Sequence, residues 1–165
     1  MFTIPDFTTI IKKTGAVQPV DDIIEGLDAK YNLIDAALKP YTYDGHIWAI
    51  PTFGMIHMMW YRKDLFEKVG LDPNNPPQTW NELLKVAKIF KENNINGIGV
   101  PASNHMYTDQ AIYSFMITAG AHEIFNKEGE IVFNNPKTVK AFEFYKELVS
   151  YSPQDATGWS WAEPQ

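Results

Sequence analysis

The dipeptide Asp44-Gly45, set in Tyr43-Asp44-Gly45-His46-Ile47-Trp48-Ala49-Ile50-Pro51, most narrows what this chain can fold into. A two-residue type I′ turn needs positive φ at both central positions, and Asp-Gly is a pair that supplies it. The flanking residues alternate as half-buried strands do, and Pro51 ends the second. Phe53 to Tyr61 then runs almost without a charge, as a long apolar strand would. It passes straight into Lys63-Asp64-Leu65-Phe66-Glu67-Lys68-Val69-Gly70, a short helix closed by glycine.

The rest of the chain carries similar punctuation. Thr3-Ile4-Pro5-Asp6 opens a helix with proline in its first turn, and Gly15 closes it. Asp21-Asp22 places acid at the positive end of a second helix. A third is expected around Tyr31 to Leu38. After the proline-rich loop 71–77, Thr79-Trp80-Asn81-Glu82 has the capping-box form. Behind it Trp80, Leu83, Leu84, Ala87 and Phe90 mark one helical face. Ile98-Gly99-Val100-Pro101 reads as a buried strand, and a helix is expected over about Thr108 to Ala119. Phe125 to Phe133 is a turn leading into a strand. Pro136 starts a last long helix, with Val139, Phe142, Tyr145 and Val149 expected on its core face. Strands and helices alternate from the hairpin onward, which predicts an α/β layer structure with helices covering a sheet.

Composition removes several functions. The chain has 165 residues, enough for a sizeable core, and is 45% hydrophobic. With 14 Lys plus Arg against 20 Asp plus Glu, its net charge is −6 and no basic stripe exists to neutralise phosphates. Nucleic acid is therefore not an expected partner. No apolar run reaches membrane-spanning length. Met1 to Pro5 lacks the basic start and cleavage site of a signal peptide. Cysteine is absent, which removes disulfide and thiol chemistry without fixing a compartment. Aromatics at 14%, Trp at five positions among them, supply planar surface for a core or for stacking on sugar rings.

The order of hairpin, proline-ended strand, apolar strand and "Tyr-x-Lys-Asp-Leu-Phe" helix resembles family 1 of the extracellular solute-binding proteins, which serve sugar-importing ABC transporters. Three more segments carry the likeness. Pro76 to Leu84 is similar to that family's "P-K-T-W-D-E-L" helix start, and Asn134 to Phe142 to its "N-S-P-E-A-V-x-A" start. Thr157-Gly158-Trp159-Ser160-Trp161-Ala162-Glu163 looks like its "T-x-W-x-W-x-E" segment, with a helix expected from Trp159. The resemblance covers essentially the whole chain. It implies a type II periplasmic-binding-protein-like α/β fold, mostly the second lobe with a remnant of the first. Residues 1–55 would be the partial first lobe, ending in the interlobe crossing strand, and residues 56–165 a second lobe truncated at its C-terminal end. The chain would thus be an internal fragment.

The resemblance also implies the function. It predicts the extracytoplasmic component of an ABC importer, capturing a sugar or oligosaccharide between two lobes and presenting it to permease subunits. Location would be periplasmic or at the cell surface, with membrane contact only through the permease or a lipid anchor outside this fragment. No cofactor is implied. By the same likeness, ligand contacts are expected at Thr3 and Asp6 before the first helix, where Asp6 is equally a plain helix-start acid. Phe53, Gly54 and Met55 lie at the crossing, although this chain lacks the acid some members carry near Met55. In the loop Ala102 to Asp109, Tyr107 is the stacking candidate, with His105 and Asp109 beside it. Trp159 and Trp161 stand two apart and cannot share a helical face, so one belongs to the core.

Rival chemistries have less to work with. A polyamine, iron or other non-sugar solute would want several acids, and the cleft loops offer chiefly Asp6 and Asp109. A carbohydrate-active enzyme needs two carboxylates flanking one bond, and no pair stands out. His46, His57, His105 and His122 contain no i, i+4 pair and no HExxH, so no metal site is expected. His57, between Ile56 and Met58, reads as a satisfied core histidine.

Overall fold

The computed structural model describes residues 15–52, 54 and 56–159, and the chain divides into two compact units, Met1–Ile56 and His57–Gln165. The helix start expected at Thr3 to Asp6 lies outside the described residues.

In the first unit, helix α1 (Asp21–Tyr31) begins with Asp21 and Asp22 in its first turn, where carboxylates meet the positive end of the helix dipole. It stops at Asn32, which takes the left-handed conformation (φ 51°). The Asp28 carboxylate accepts from the Leu33 N–H at 2.8 Å and fixes the exit. The third helix is consequently shorter than expected: α2 spans Asp35–Leu38, continued by a 3-10 turn at Lys39–Tyr41. Strands β1 (Thr42–Tyr43) and β2 (His46–Ile47) pair antiparallel, Thr42 opposite Ile47 and Tyr43 opposite His46. Both turn residues have positive φ, Asp44 at 52° and Gly45 at 77°, as a type I′ turn requires.

Asp21 ties helix to hairpin. Its carboxylate accepts from the Ile47 N–H at 2.7 Å and lies 2.8 Å from His46 Nδ1. The Val20 N–H donates to the Ile47 carbonyl alongside, at 2.8 Å.

In the second unit, α3 (Lys63–Lys68) is followed by Gly70 in the left-handed region, and the Leu71 N–H returns to the Phe66 carbonyl. Helix α4 (Trp80–Glu92) opens with the full capping box, Thr79 and Glu82 satisfying each other's backbone donors. Helices α5 (Met106–Thr118) and α6 (Pro136–Val149) complete the set, with Asn135 capping α6 through two backbone N–H groups. A 3-10 segment follows at Gln154–Gly158.

The core forms where these helices meet. Leu83 of α4, Val100 and α6 residues Phe144, Tyr145 and Leu148 are buried together, with Phe115 of α5 packed against them. Trp80 stacks on Phe144 at 4.3 Å between ring centroids, and Phe115 packs on both rings. The Trp80 indole N–H reaches the Thr118 hydroxyl at 3.2 Å, so its polar atom has a partner.

Five expectations change. The buried face of α6 is Thr138, Ala141, Phe144, Tyr145 and Leu148, not the Val139, Phe142, Tyr145 and Val149 set. Small Thr138 and Ala141 allow close approach, whereas Val139 (46%) and Phe142 (41%) stay exposed. The apolar run into Tyr61 does not form a strand among its described residues: Ile56 is 79% exposed and Trp60 86%. A strand exists only when a neighbouring backbone completes its ladder, and none does so there. His57 is accordingly exposed rather than core, its Nδ1 lying 3.0 Å from the Ser114 hydroxyl. Ile98 to Pro101 is not assigned as strand either. Its hydrogen bonds go to α6 and the segment after it rather than to a ladder: the Val100 N–H donates to the Ser152 hydroxyl at 3.3 Å and the Pro101 carbonyl accepts from Tyr145. At the predicted turn, Phe125 and Ile131 form a single antiparallel bridge instead of a longer strand.

Candidate ligand-binding site

Among the expected contact residues, the structure describes Gly54, His105, Tyr107, Asp109 and Trp159; Thr3, Asp6, Phe53, Met55 and Trp161 lie outside the described residues. Gly54 is exposed in the first unit. The other four belong to the second unit, where one stretch of loop holds them in a common framework.

That framework begins at residues 97–103, which run beside residues 151–159. The Gly97 N–H donates to the Tyr151 carbonyl and the Ala102 N–H to the Ala156 carbonyl, both at 2.9 Å. Buried Tyr145 donates its hydroxyl to the Pro101 carbonyl at 2.5 Å; burial pushes this phenol's pKa well above its usual value, so it remains a donor. Ser103 closes the lacing by donating its hydroxyl to the Trp159 carbonyl.

The chain then turns into α5. His105 is the N-cap: its Nδ1 accepts from the Tyr107 N–H at 3.2 Å, and its carbonyl accepts from the Thr108 N–H at 2.9 Å. Because Nδ1 is the acceptor, the neutral ring carries its proton on Nε2. His105 is exposed, Tyr107 half-buried and Asp109 exposed in the first turn. An outward imidazole donor, a carboxylate acceptor and a phenol ring therefore share one helix start. Such a set suits a neutral, hydroxyl-rich ligand: the carboxylate accepts from hydroxyls, the imidazole donates, and a ring can cover an apolar face.

Trp159 offers little surface. It is 9% exposed and closes the 3-10 segment in an extended conformation; the helix expected to follow it lies outside the described residues. Its backbone carbonyl meets the loop at Ser103.

Two residues went unnoticed in the sequence. Ser103 carries no pattern that distinguishes it from any loop serine. Thr108, on the first turn of α5, has a buried hydroxyl oxygen with no hydrogen-bond partner among the described residues. Concave surfaces of roughly 520 and 430 Å³ open elsewhere, around the start of α6 and along its Val139–Phe142 side. The described candidates line neither of them. Among the described residues no group of three His, Cys, Asp or Glu could hold a metal ion, and no helix is long and apolar enough to cross a membrane.

Known proteins resemble this chain in sequence and in fold. An ABC transporter extracellular-binding protein of Pyrococcus horikoshii is 28% identical over 154 residues, 92% of this chain and 34% of the relative. The arabinooligosaccharide-binding protein of Bacillus subtilis is 24% identical over 145 residues, 87% of this chain and 32% of the relative. The chain thus spans about a third of the length of these curated relatives. The crystal structure of an ABC transporter solute-binding protein from Thermotoga lettingae, bound with α-D-tagatose, superposes with a TM-score of 0.77 at 25% identity. That superposition covers 96% of this chain and 42% of the other. The fold is accordingly that of the type II periplasmic sugar-binding proteins. The family model for bacterial extracellular solute-binding proteins matches residues 1–165, and the chain belongs to that family.

Proposed function

We propose that this chain is part of the substrate-binding component of an ABC importer and that its solute is a carbohydrate. The observation that carries the reading is the superposition on the tagatose-bound protein across nearly the whole chain. The entry to α5 supports it, since His105, Tyr107 and Asp109 present a donor, a ring and an acceptor from one turn. In this reading the loop from Ala102 to Asp109 supplies one wall of the capture site. Gly54 and the undescribed Thr3, Asp6, Phe53, Met55 and Trp161 remain proposed contacts by family resemblance.

Capture would be reversible binding without bond-making, driven by hydrogen bonds to hydroxyls and by stacking. Solute-bound protein would favour a conformation that permease subunits of the transporter recognise, on the outer side of the membrane. No catalytic role or cofactor is part of this reading.

Calorimetry on the full-length gene product, with a panel of monosaccharides, oligosaccharides, a polyol phosphate and spermidine, tests it. At least one sugar should bind, and Tyr107→Ala should weaken that binding by about 1–3 kcal/mol, the worth of a buried planar contact. Binding of spermidine or the polyol phosphate with no response to any sugar would overturn the carbohydrate assignment. Unchanged sugar affinity in Tyr107→Ala would remove that residue from the site and leave the rest standing.

A further inference from the structure

Ser103 stands where two parts of the candidate site meet. Its hydroxyl donates to the Trp159 carbonyl, and its own carbonyl accepts from the His105 N–H at 2.9 Å. His105 in turn caps α5 by accepting from the Tyr107 N–H. A continuous chain of hydrogen bonds therefore runs from the Trp159 backbone through Ser103 and His105 to the turn that carries Tyr107 and Asp109. Loops gain the precision that recognition needs when their backbone is held from outside by fixed partners. The end of the 3-10 segment is such a partner for this loop, since Ala156 is buried and bonded to the Ala102 N–H.

We infer that Ser103 is a positioning residue of the carbohydrate site: its hydroxyl locks the α5 entry to the Trp159 segment so that His105, Tyr107 and Asp109 are presented in one fixed arrangement. The inference rests on the proposed function for its ligand but on geometry alone for the lock. Removing the hydroxyl should loosen this junction without unfolding the unit. The Ala102–Ala156 and Gly97–Tyr151 bonds remain, as does the Tyr145–Pro101 bond, and Ser103 contributes nothing to the apolar core. Threonine at the same position keeps the donor.

The test compares Ser103→Ala and Ser103→Thr in the full-length gene product by amide hydrogen exchange, thermal melting and sugar titration. Ser103→Ala should speed exchange at residues 102–109 and 156–159 on the order of fivefold, the size expected for one net hydrogen bond. Sugar affinity should fall by a similar factor, with the melting temperature lowered by no more than the few degrees that one net hydrogen bond carries and all these changes reversed in Ser103→Thr. Unchanged exchange in those segments would overturn the lock. Faster exchange spread across α4 and α6, with melting lowered well beyond that, would show a merely structural role and overturn the assignment as well. Local loosening with wild-type affinity would take Ser103 out of the binding site. If the wild-type protein binds no sugar, the proposed function fails, and the lock stands or falls on the exchange pattern alone.

Discussion

The two units of this chain are held together by different physics. In the first, Ile24 is the buried apolar residue among those described, and the organisation comes from directed polar contacts: Asp21 on the Ile47 N–H and His46, a type I′ turn, and the Trp48 indole N–H on the Tyr43 carbonyl. In the second, aromatic and aliphatic side chains from three helices close over one another around Leu148, which is fully buried. Net hydrogen bonds in water are each worth about 0.5–1.5 kcal/mol, while a buried Leu or Phe side chain contributes about 1.5–3. The candidate ligand loop lies on the better-packed unit. A loop anchored to a rigid core can hold a binding geometry that a surface hairpin could not.

The contrast should be widest in amide exchange. Helices α4 and α6 should exchange only through large openings, whereas residues 15–45 should exchange through shallow local ones, by orders of magnitude faster. Equal protection in the two units would break the comparison. Leu148→Ala should then cost about 2–5 kcal/mol, because the site is enclosed on all sides and cannot collapse. Chemical denaturation followed by Trp fluorescence reads it, and Ile24→Ala should leave that same transition in place.

Next comes Gly97→Ala. A Cβ there would press on the backbone of Ala87, lying 2.9 Å from its carbonyl carbon, where no side chain can turn aside. Overpacking of this kind costs about 1–3 kcal/mol, and it should show as a lowered denaturation midpoint with unchanged slope. Thr79→Ala removes one half of the α4 capping box and should cost about 1 kcal/mol in the same measurement. A loss much larger than that would mean Thr79 is coupled to the Trp80 cluster rather than only to its helix end.

The smallest effect separates the first unit by pH. The Ile47 N–H, and secondly His46, hold the Asp21 carboxyl below its ordinary pKa. A carboxyl lowered by folding contributes stability above the ordinary carboxylate range and loses it as pH falls through the lowered value. Acid titration followed by NMR at the Ile47 amide should therefore show the α1–hairpin contact releasing below that range, while the Leu148 core signals stay put. Asp21→Asn should abolish the acid-dependent step. A step that persists in that variant would place the titrating group elsewhere.

Local chemistry was readable without a structure wherever neighbouring residues sufficed. Asp44-Gly45 dictates its turn because few pairs tolerate positive φ twice. Thr79 and Glu82 dictate a helix start because their side chains reach their own backbone. The α4 face of Leu83, Ala87 and Phe90 follows from period alone. Family membership too was legible, because several such local signatures occur in one order along the chain.

What the tertiary structure decided were matters of partnership. The core face of α6 turned on Thr138 and Ala141, residues with little hydrophobic weight whose small size admits α5. Residues 56–61 resemble a buried strand in composition, but burial needs a covering surface and a strand needs a ladder, and neither property belongs to the segment itself. His57 became exposed for the same reason. In the candidate site, the sequence could mark His105, Tyr107 and Asp109 as polar and planar groups before a helix. It could not disclose that His105 is the cap, that Trp159 meets the loop through its backbone, or that Ser103 joins the two. The cap is a local contact that no residue pattern announces; the other two facts depend on residues more than 50 positions apart being brought within hydrogen-bond reach, which only the closing of the helical core accomplishes.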